Sequence, residues 1–297
     1  MRKLEFLIIA VACGLTFSQN IILTCNFGDY GIDDLYMCSL GRITVLDSSV
    51  NVTFNGTHDS NKTDAHVDLV EIWSSNTPFI ISQLFSTFPN LRFLNIYDSN
   101  LATIVIPPVA QLIQLVVQGN NVTTITRNSF RNQTQLRYLY VTHSGVTDID
   151  NDAFEDLRGV QYFSLWNNSI TKLAPRTLAP LVNVLRLSFR NNSLSTIDED
   201  TFLGNTNLQH LEFGGNQINQ IHPRAFVNLR NLTAIDLTAN RCVEQSFELK
   251  SDQDWNAMND SLALCFRNSQ PVKRSITLEF SGPMTIYDEL GNIIAQI

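Results

Sequence analysis

Residues 160–183 read VQYFSLWNNSITKLAPRTLAPLVN, residues 184–207 read VLRLSFRNNSLSTIDEDTFLGNTN, and residues 208–231 read LQHLEFGGNQINQIHPRAFVNLRN. Each block is 24 residues long, with apolar residues at positions 1, 4, 6, 11 and 14 and Asn at position 9. A fixed period of this length is the signature of a solenoid. The x-L-x-L-x portion alternates with period 2, so it predicts a short strand with two side chains inward and three outward. One such strand cannot bury its apolar face alone, whereas coils stacked side by side enclose a continuous core. Asn168, Asn192, Asn216 and Asn240 fall where the chain leaves the strand and turns. A carboxamide both donates and accepts, so these residues predict a ladder that satisfies buried turn groups. Phe154, Phe202 and Phe226, at position 19, predict a second spine on the far side.

Working outward, repeats begin at Val67, Leu91, Leu112, Leu136, Val160, Val184, Leu208 and Leu232. The block from Leu91 has 21 residues and carries Pro107-Pro108 where others place the Phe, which predicts a tight, non-helical outer side. Ser75, Ser99 and Ser144 occupy ladder positions that a hydroxyl satisfies less fully than an amide. The expected organisation is a signal peptide at 1–19, a cysteine cap with a glycosylated loop at 20–66, and repeats at 67–241. A second cysteine cap follows at 242–270 and a short β-rich extension at 271–297.

The leader rests on Arg2-Lys3, an apolar run from Leu4 to Phe17 and small polar residues after it. Ala12-Cys13-Gly14 lacks the Leu of a lipid-attachment signal and is read as part of that leader. Without the leader, 18 basic and 27 acidic residues leave a net charge of −9. That balance argues against nucleic acid or an anionic membrane as partner, since both need a basic face. Four cysteines remain, an even number that favours disulfides outside the cytosol. Cys25 and Cys38 flank a turn-rich centre between strand-like segments Ile22 to Phe27 and Leu35 to Leu40, which predicts a disulfide-closed hairpin. Cys242 pairs best with Cys265, across a helix-compatible segment in which Phe247, Leu249, Trp255, Met258, Leu262 and Leu264 are expected to face the core. Nine N-x-S/T sequons stand at Asn51, Asn55, Asn61, Asn121, Asn132, Asn167, Asn191, Asn231 and Asn259, and residues 51–64 read as an exposed loop holding three of them. After Pro271, alternation at Ile276, Leu278, Phe280, Met284 and Ile286 predicts two or three short strands.

From Val67 to Cys265 the chain resembles the extracellular leucine-rich repeat family with 24-residue units. The resemblance implies an α/β-type solenoid: a curved parallel sheet on the concave face, an irregular, 3-10 or short-helical convex face, and disulfide-closed caps. Leader, paired-Cys caps and sequon density are similar to secreted insect members, most loosely to mosquito leucine-rich immune proteins. No heptad repeat or adjacent cysteine pair follows the solenoid, so the chain resembles a short, coil-less type. That family implies recognition of a pathogen or host protein in innate immunity; an adhesive or matrix-structural role, or a receptor-signalling role, is the alternative.

Catalytic signatures are absent: there is no G-x-S-x-G, H-E-x-x-H, P-loop or G-x-G-x-x-G. His58, His66, His143, His210 and His222 are scattered, and the run Asp198, Glu199, Asp200 reads as solvated surface. The sequence therefore predicts no enzyme, no metal site and no cofactor. Binding is legible by arithmetic, because positions 3, 5 and 7 of every block face outward on the concave sheet. Of ten Trp and Tyr in the chain, six occupy those 24 positions: Trp73, Tyr97, Tyr138, Tyr140, Tyr162 and Trp166. After Trp166 the aromatics give way to Arg186, Arg190 and His210. Strands favour aromatics in general, but Trp, Tyr and Arg are also the residues that anchor interfaces. The expected partner-binding surface is these nine residues together with Phe93, and its ligand a protein or a glycan. Two further expectations follow: Arg190 stacking on Trp166, and glycans on Asn167 and Asn191 crowding one rim.

Overall fold

In the computed structural model the residues described are 20–31, 35–269, 285–287 and 293–296. The expected leader and the segment Ile276 to Phe280 lie outside them. One 11-stranded sheet runs the length of the molecule. Strands β1 (Asn20–Thr24), β2 (Asn26–Tyr30), β3 (Leu35–Gly41) and β4 (Asn51–Asn55) form the N-terminal end. The repeat strands follow in parallel register: β5 (Val67–Trp73), β6 (Phe93–Tyr97), β7 (Gln114–Gln118), β8 (Tyr138–Thr142), β9 (Tyr162–Ser164), β10 (Arg186–Ser188), β11 (His210–Glu212) and β12 (Ala234–Asp236). Antiparallel β2 and β13 (Ser246–Glu248) close the two edges. The outer side of the coils is mostly turns, with a single four-residue helix α1 (Leu84–Thr87), and the Pro107-Pro108 coil is non-helical as expected.

The core is one continuous apolar cluster from Leu23 to Cys265. The Asn ladder is present. Asn168 Oδ1 accepts from the Ser144 and Val146 N–H groups, both at 3.1 Å, while its Nδ2 donates to the Val141 and Leu165 carbonyls. Asn192, Asn216 and Asn240 repeat the pattern, and Asn120 adds a fifth rung. At the serine rungs, Ser75, Ser99 and Ser144 each donate only to the carbonyl two residues back. The aromatic spine is broken where Leu178 replaces Phe: Phe130 stacks on Phe154 and Phe202 on Phe226, and Phe163, Phe189 and Phe213 bridge the gap from the strand side.

The caps differ in detail from the sequence reading. Cys25–Cys38 and Cys242–Cys265 are bonded, with Cα atoms 5.1 and 5.2 Å apart. The N-terminal hairpin, however, is β2 with β3; Ile22 belongs to β1, which pairs in parallel with β4. Residues 51–55 are therefore strand and not loop, because Val52 is needed to cover the core beside Leu23. At the other end Phe247 lies in β13 and the helix starts later, as α2 (Asp252–Ser261) capped by Ser251, followed by α3 (Ala263–Ser269). Leu249, Met258 and Leu262 are buried and Trp255 half-buried, but Leu264 points outward, since Cys265 takes the inward position beside it. Two more strands, β14 (Thr285–Tyr287) and β15 (Ile293–Gln296), pair antiparallel.

Candidate functional site

Register places the concave side chains in three rows. The first runs Phe93, Gln114, Tyr138, Tyr162, Arg186, His210, and the second Asn95, Val116, Tyr140, Ser164, Ser188, Glu212. The third, at the strand exits, holds Trp73, Tyr97, Gln118, Trp166 and Arg190. All ten residues expected at the partner surface lie on this face, and none is buried. Four other outward positions are covered: Leu69, Asn95, Thr142 and Gly214. Asn95 is clasped between Glu71 and Gln114, and Gly214 lies beneath the Asp236 side chain.

The ten residues form two groups separated by Gln114, Val116 and Gln118 of β7. In the first, the Trp73 indole lies flat on Gly41, where any Cβ would overlap its ring, and its Nε1 donates to Ser39 Oγ at 3.1 Å. The Arg42 guanidinium sits 5.9 Å from the ring centroid. Trp73 thus seals the junction between cap and first repeat, leaving one face to solvent. Tyr97 stands nearby; burial, then the charges of Glu71 and Tyr30, push its phenol above the ordinary value.

The second group encloses a basin of about 730 Å³. Its floor is Ser164 and Ser188, two small side chains on consecutive strands of the middle row. Tyr140 and Glu212 close that row at either end, with Tyr162 and Arg186 along one flank and Trp166 and Arg190 along the other. Tyr138 stacks on Tyr162 with centroids 5.0 Å apart and planes 16° apart, which fixes the flank. Trp166 is 40% exposed and meets His143 edge-on at 4.6 Å. Burial, and then the neighbouring Tyr138 and Tyr162, raise the Tyr140 phenol, so it remains a neutral donor through the physiological range.

The expected stack of Arg190 on Trp166 does not form. Arg190 Nη1 instead bonds Asp236 Oδ2 at 3.0 Å, two strands away, because Gly214 between them offers no side chain to block the reach. That pairing offsets the charge of Arg190 locally. Arg186 is exposed, and among the described residues it has no carboxylate within ion-pair distance; Glu212 is likewise exposed and unpaired. His210 neighbours Arg186 beyond the basin, and its buried Nδ1 has no hydrogen-bond partner. Ser164, Ser188 and Glu212, outward fifth-position residues that were not among the ten expected at the partner surface, also line the basin; two serines in succession at position 5 were the available signal for a hollow there.

A family model described as leucine rich repeat matches residues 134–192 and 183–241. The fold is a leucine-rich repeat solenoid. Among solved structures, the crystal structure of the TLR13–ssRNA13 complex is similar, with 18% identity and a TM-score of 0.54. The alignment covers 67% of this chain and 30% of that one, so the present chain spans under a third of the other's length. No curated protein matches. At this identity the likeness concerns the leucine-rich repeat fold alone.

Proposed function

We propose that this leucine-rich repeat protein is a secreted, non-catalytic recognition module that binds a protein or glycan partner in the Ser164–Ser188 basin, in innate defence. The observation that carries the reading is the basin itself. Its volume lies in the range of preformed ligand sites, and three aromatic side chains, one unpaired guanidinium and one unpaired carboxylate converge on it. Secretion is supported by the leader-like N-terminus, the two disulfides and the exposure of all nine sequon asparagines. Although the TLR13 structure contains an ssRNA, the face here holds Glu71, Glu212 and Asp236 against Arg186 and Arg190, of which Arg190 is already paired with Asp236. A phosphate backbone is bound through several basic contacts, and the basin supplies one free guanidinium, that of Arg186.

A second reading, adhesion or matrix assembly, draws on exposed apolar side chains away from the concave sheet, Leu203 and Val227 at one repeat position and Val105 and Val109 beside the prolines. One experiment separates the two. Wild-type protein and a Tyr138→Ala, Tyr162→Ala, Trp166→Ala variant are immobilised and exposed to extracellular fluid. A partner retained by the wild type and lost by the folded variant supports the basin; a partner held equally by both refutes it, and loss on changing Leu203 and Val227 to Ser favours assembly.

A further inference from the structure

Nine sequons are exposed, but only one borders the basin. Asn191 lines it together with Trp166 and Arg190, whereas Asn167, the equivalent residue one coil earlier, does not. Asn191 has left-handed backbone, φ 53°, in the turn that leaves β10. Its carboxamide lies against Gly215, φ 69°, the equivalent position of the next coil, where a Cβ would collide with Asn191 Oδ1. Gly215 therefore makes the space that the Asn191 side chain occupies. The amide nitrogen is unspent: those of Asn51, Asn121 and Asn231 donate to Asn20, Asn100 and Thr206, and that of Asn191 makes no hydrogen bond. Asn192, the middle residue of the sequon, is locked in the ladder, whereas the Asn191 side chain stays outside it and exposed.

From this placement we propose that Asn191 carries an N-linked glycan whose first sugars lie over the mouth of the basin against Trp166, so that the glycan gates access to Ser164 and Ser188. A sugar attached at Asn191 starts at the rim of the basin. Its apolar C–H face suits the exposed indole, and its hydroxyls suit the free guanidinium of Arg186. The inference rests on the secretory reading above, and adds to it that the site is shaped by a modification as well as by side chains.

The test uses the full chain secreted from a eukaryotic cell line and needs no partner. Glycopeptide mapping measures occupancy at Asn191. Hydroxyl-radical footprinting then compares oxidation of Trp166 in wild type, in Ser193→Ala, which abolishes the sequon while keeping Asn191 in its left-handed turn, and in Ser169→Ala, which does the same for Asn167. Covering one of two indole faces halves its reactivity, so Ser193→Ala is expected to raise Trp166 oxidation roughly twofold. Trp73 and Trp255 stay unchanged, and Ser169→Ala leaves Trp166 at the wild-type level. An unoccupied Asn191, or equal Trp166 oxidation in wild type and Ser193→Ala, overturns the gate. Since the footprint is read without ligand, the gate can fail while partner binding in the basin survives, and the reverse.

Discussion

Replacing Asn192 by Ala tests how the coils are held together beneath the concave face. Asn192 Oδ1 accepts from Ile170 N–H at 3.0 Å, and Nδ2 donates to the Leu165 and Phe189 carbonyls at 2.9 and 3.0 Å, all buried. The losses are unequal. Leu165 O keeps a bond from Asn168 and Phe189 O keeps one from Asn216, so each carbonyl loses one of two partners. Ile170 N–H loses its only one. An orphaned buried donor costs about 1–3 kcal/mol, and each forfeited shared bond about 0.5–1 kcal/mol, giving about 3 kcal/mol in all. In a domain of this size that lowers Tm by about 6–12 °C. A Ser in its place should recover about 1 kcal/mol by donating two residues back, as Ser75, Ser99 and Ser144 do. Urea unfolding followed by circular dichroism measures both, provided the m-value is unchanged. A cost below about 1 kcal/mol for Ala would refute the argument, because Ile170 N–H must then have found water or another acceptor. The sequon at Asn191 survives either change, so glycosylation does not confound the comparison.

Filling the basin should separate recognition from folding: Ser188→Phe is expected to weaken partner affinity about tenfold or more, equivalent to 1.4 kcal/mol, with Tm within about 2 °C, read by biolayer interferometry and thermal melting. Alkaline titration checks the phenols. Tyr97 and Tyr140 are raised above the ordinary value of 10.0, so the native state holds their protons more tightly than the unfolded chain does. Their contribution is full below the unfolded value and lost as pH climbs through the raised ones; Tyr97→Phe with Tyr140→Phe should flatten the alkaline fall in stability, seen by unfolding at pH 9 to 11. Finally, Cys242→Ser with Cys265→Ser opens a loop of 23 residues and should cost about 3 kcal/mol in denaturant unfolding.

The repeat strands, the Asn ladder and both disulfides were legible because each depends on a spacing, and a period of 24 leaves little freedom in which face a side chain takes. The caps were harder. They occur once, so no repetition separates pattern from accident: alternation from Ile22 to Phe27 concealed a break at Cys25 that splits it between two sheets. Leu264 reads as core on the helical pattern, but the disulfide demands the inward position for Cys265, and a covalent constraint overrides an amphipathic one.

The concave face was legible as a list of positions and illegible as a shape. Aromatics and arginines announce themselves in a sequence; a cavity is made by what is missing. Here Ser164 and Ser188 supply the volume, and Gly214 supplies the reach that lets Asp236 draw Arg190 away from Trp166. That one long-range ion pair decides the character of the site. Had Arg190 stacked on the indole, the basin would have offered two free guanidiniums and a blocked ring. As built it offers one, at Arg186, one strand away from an unpaired Glu212. A surface pair such as Arg190–Asp236 is worth less than about 1 kcal/mol in stability, so Asp236→Asn should leave the fold intact while freeing Arg190. Affinity for an acidic ligand should then rise and become more salt-dependent; if neither changes, the charge of the basin is not what its partner reads.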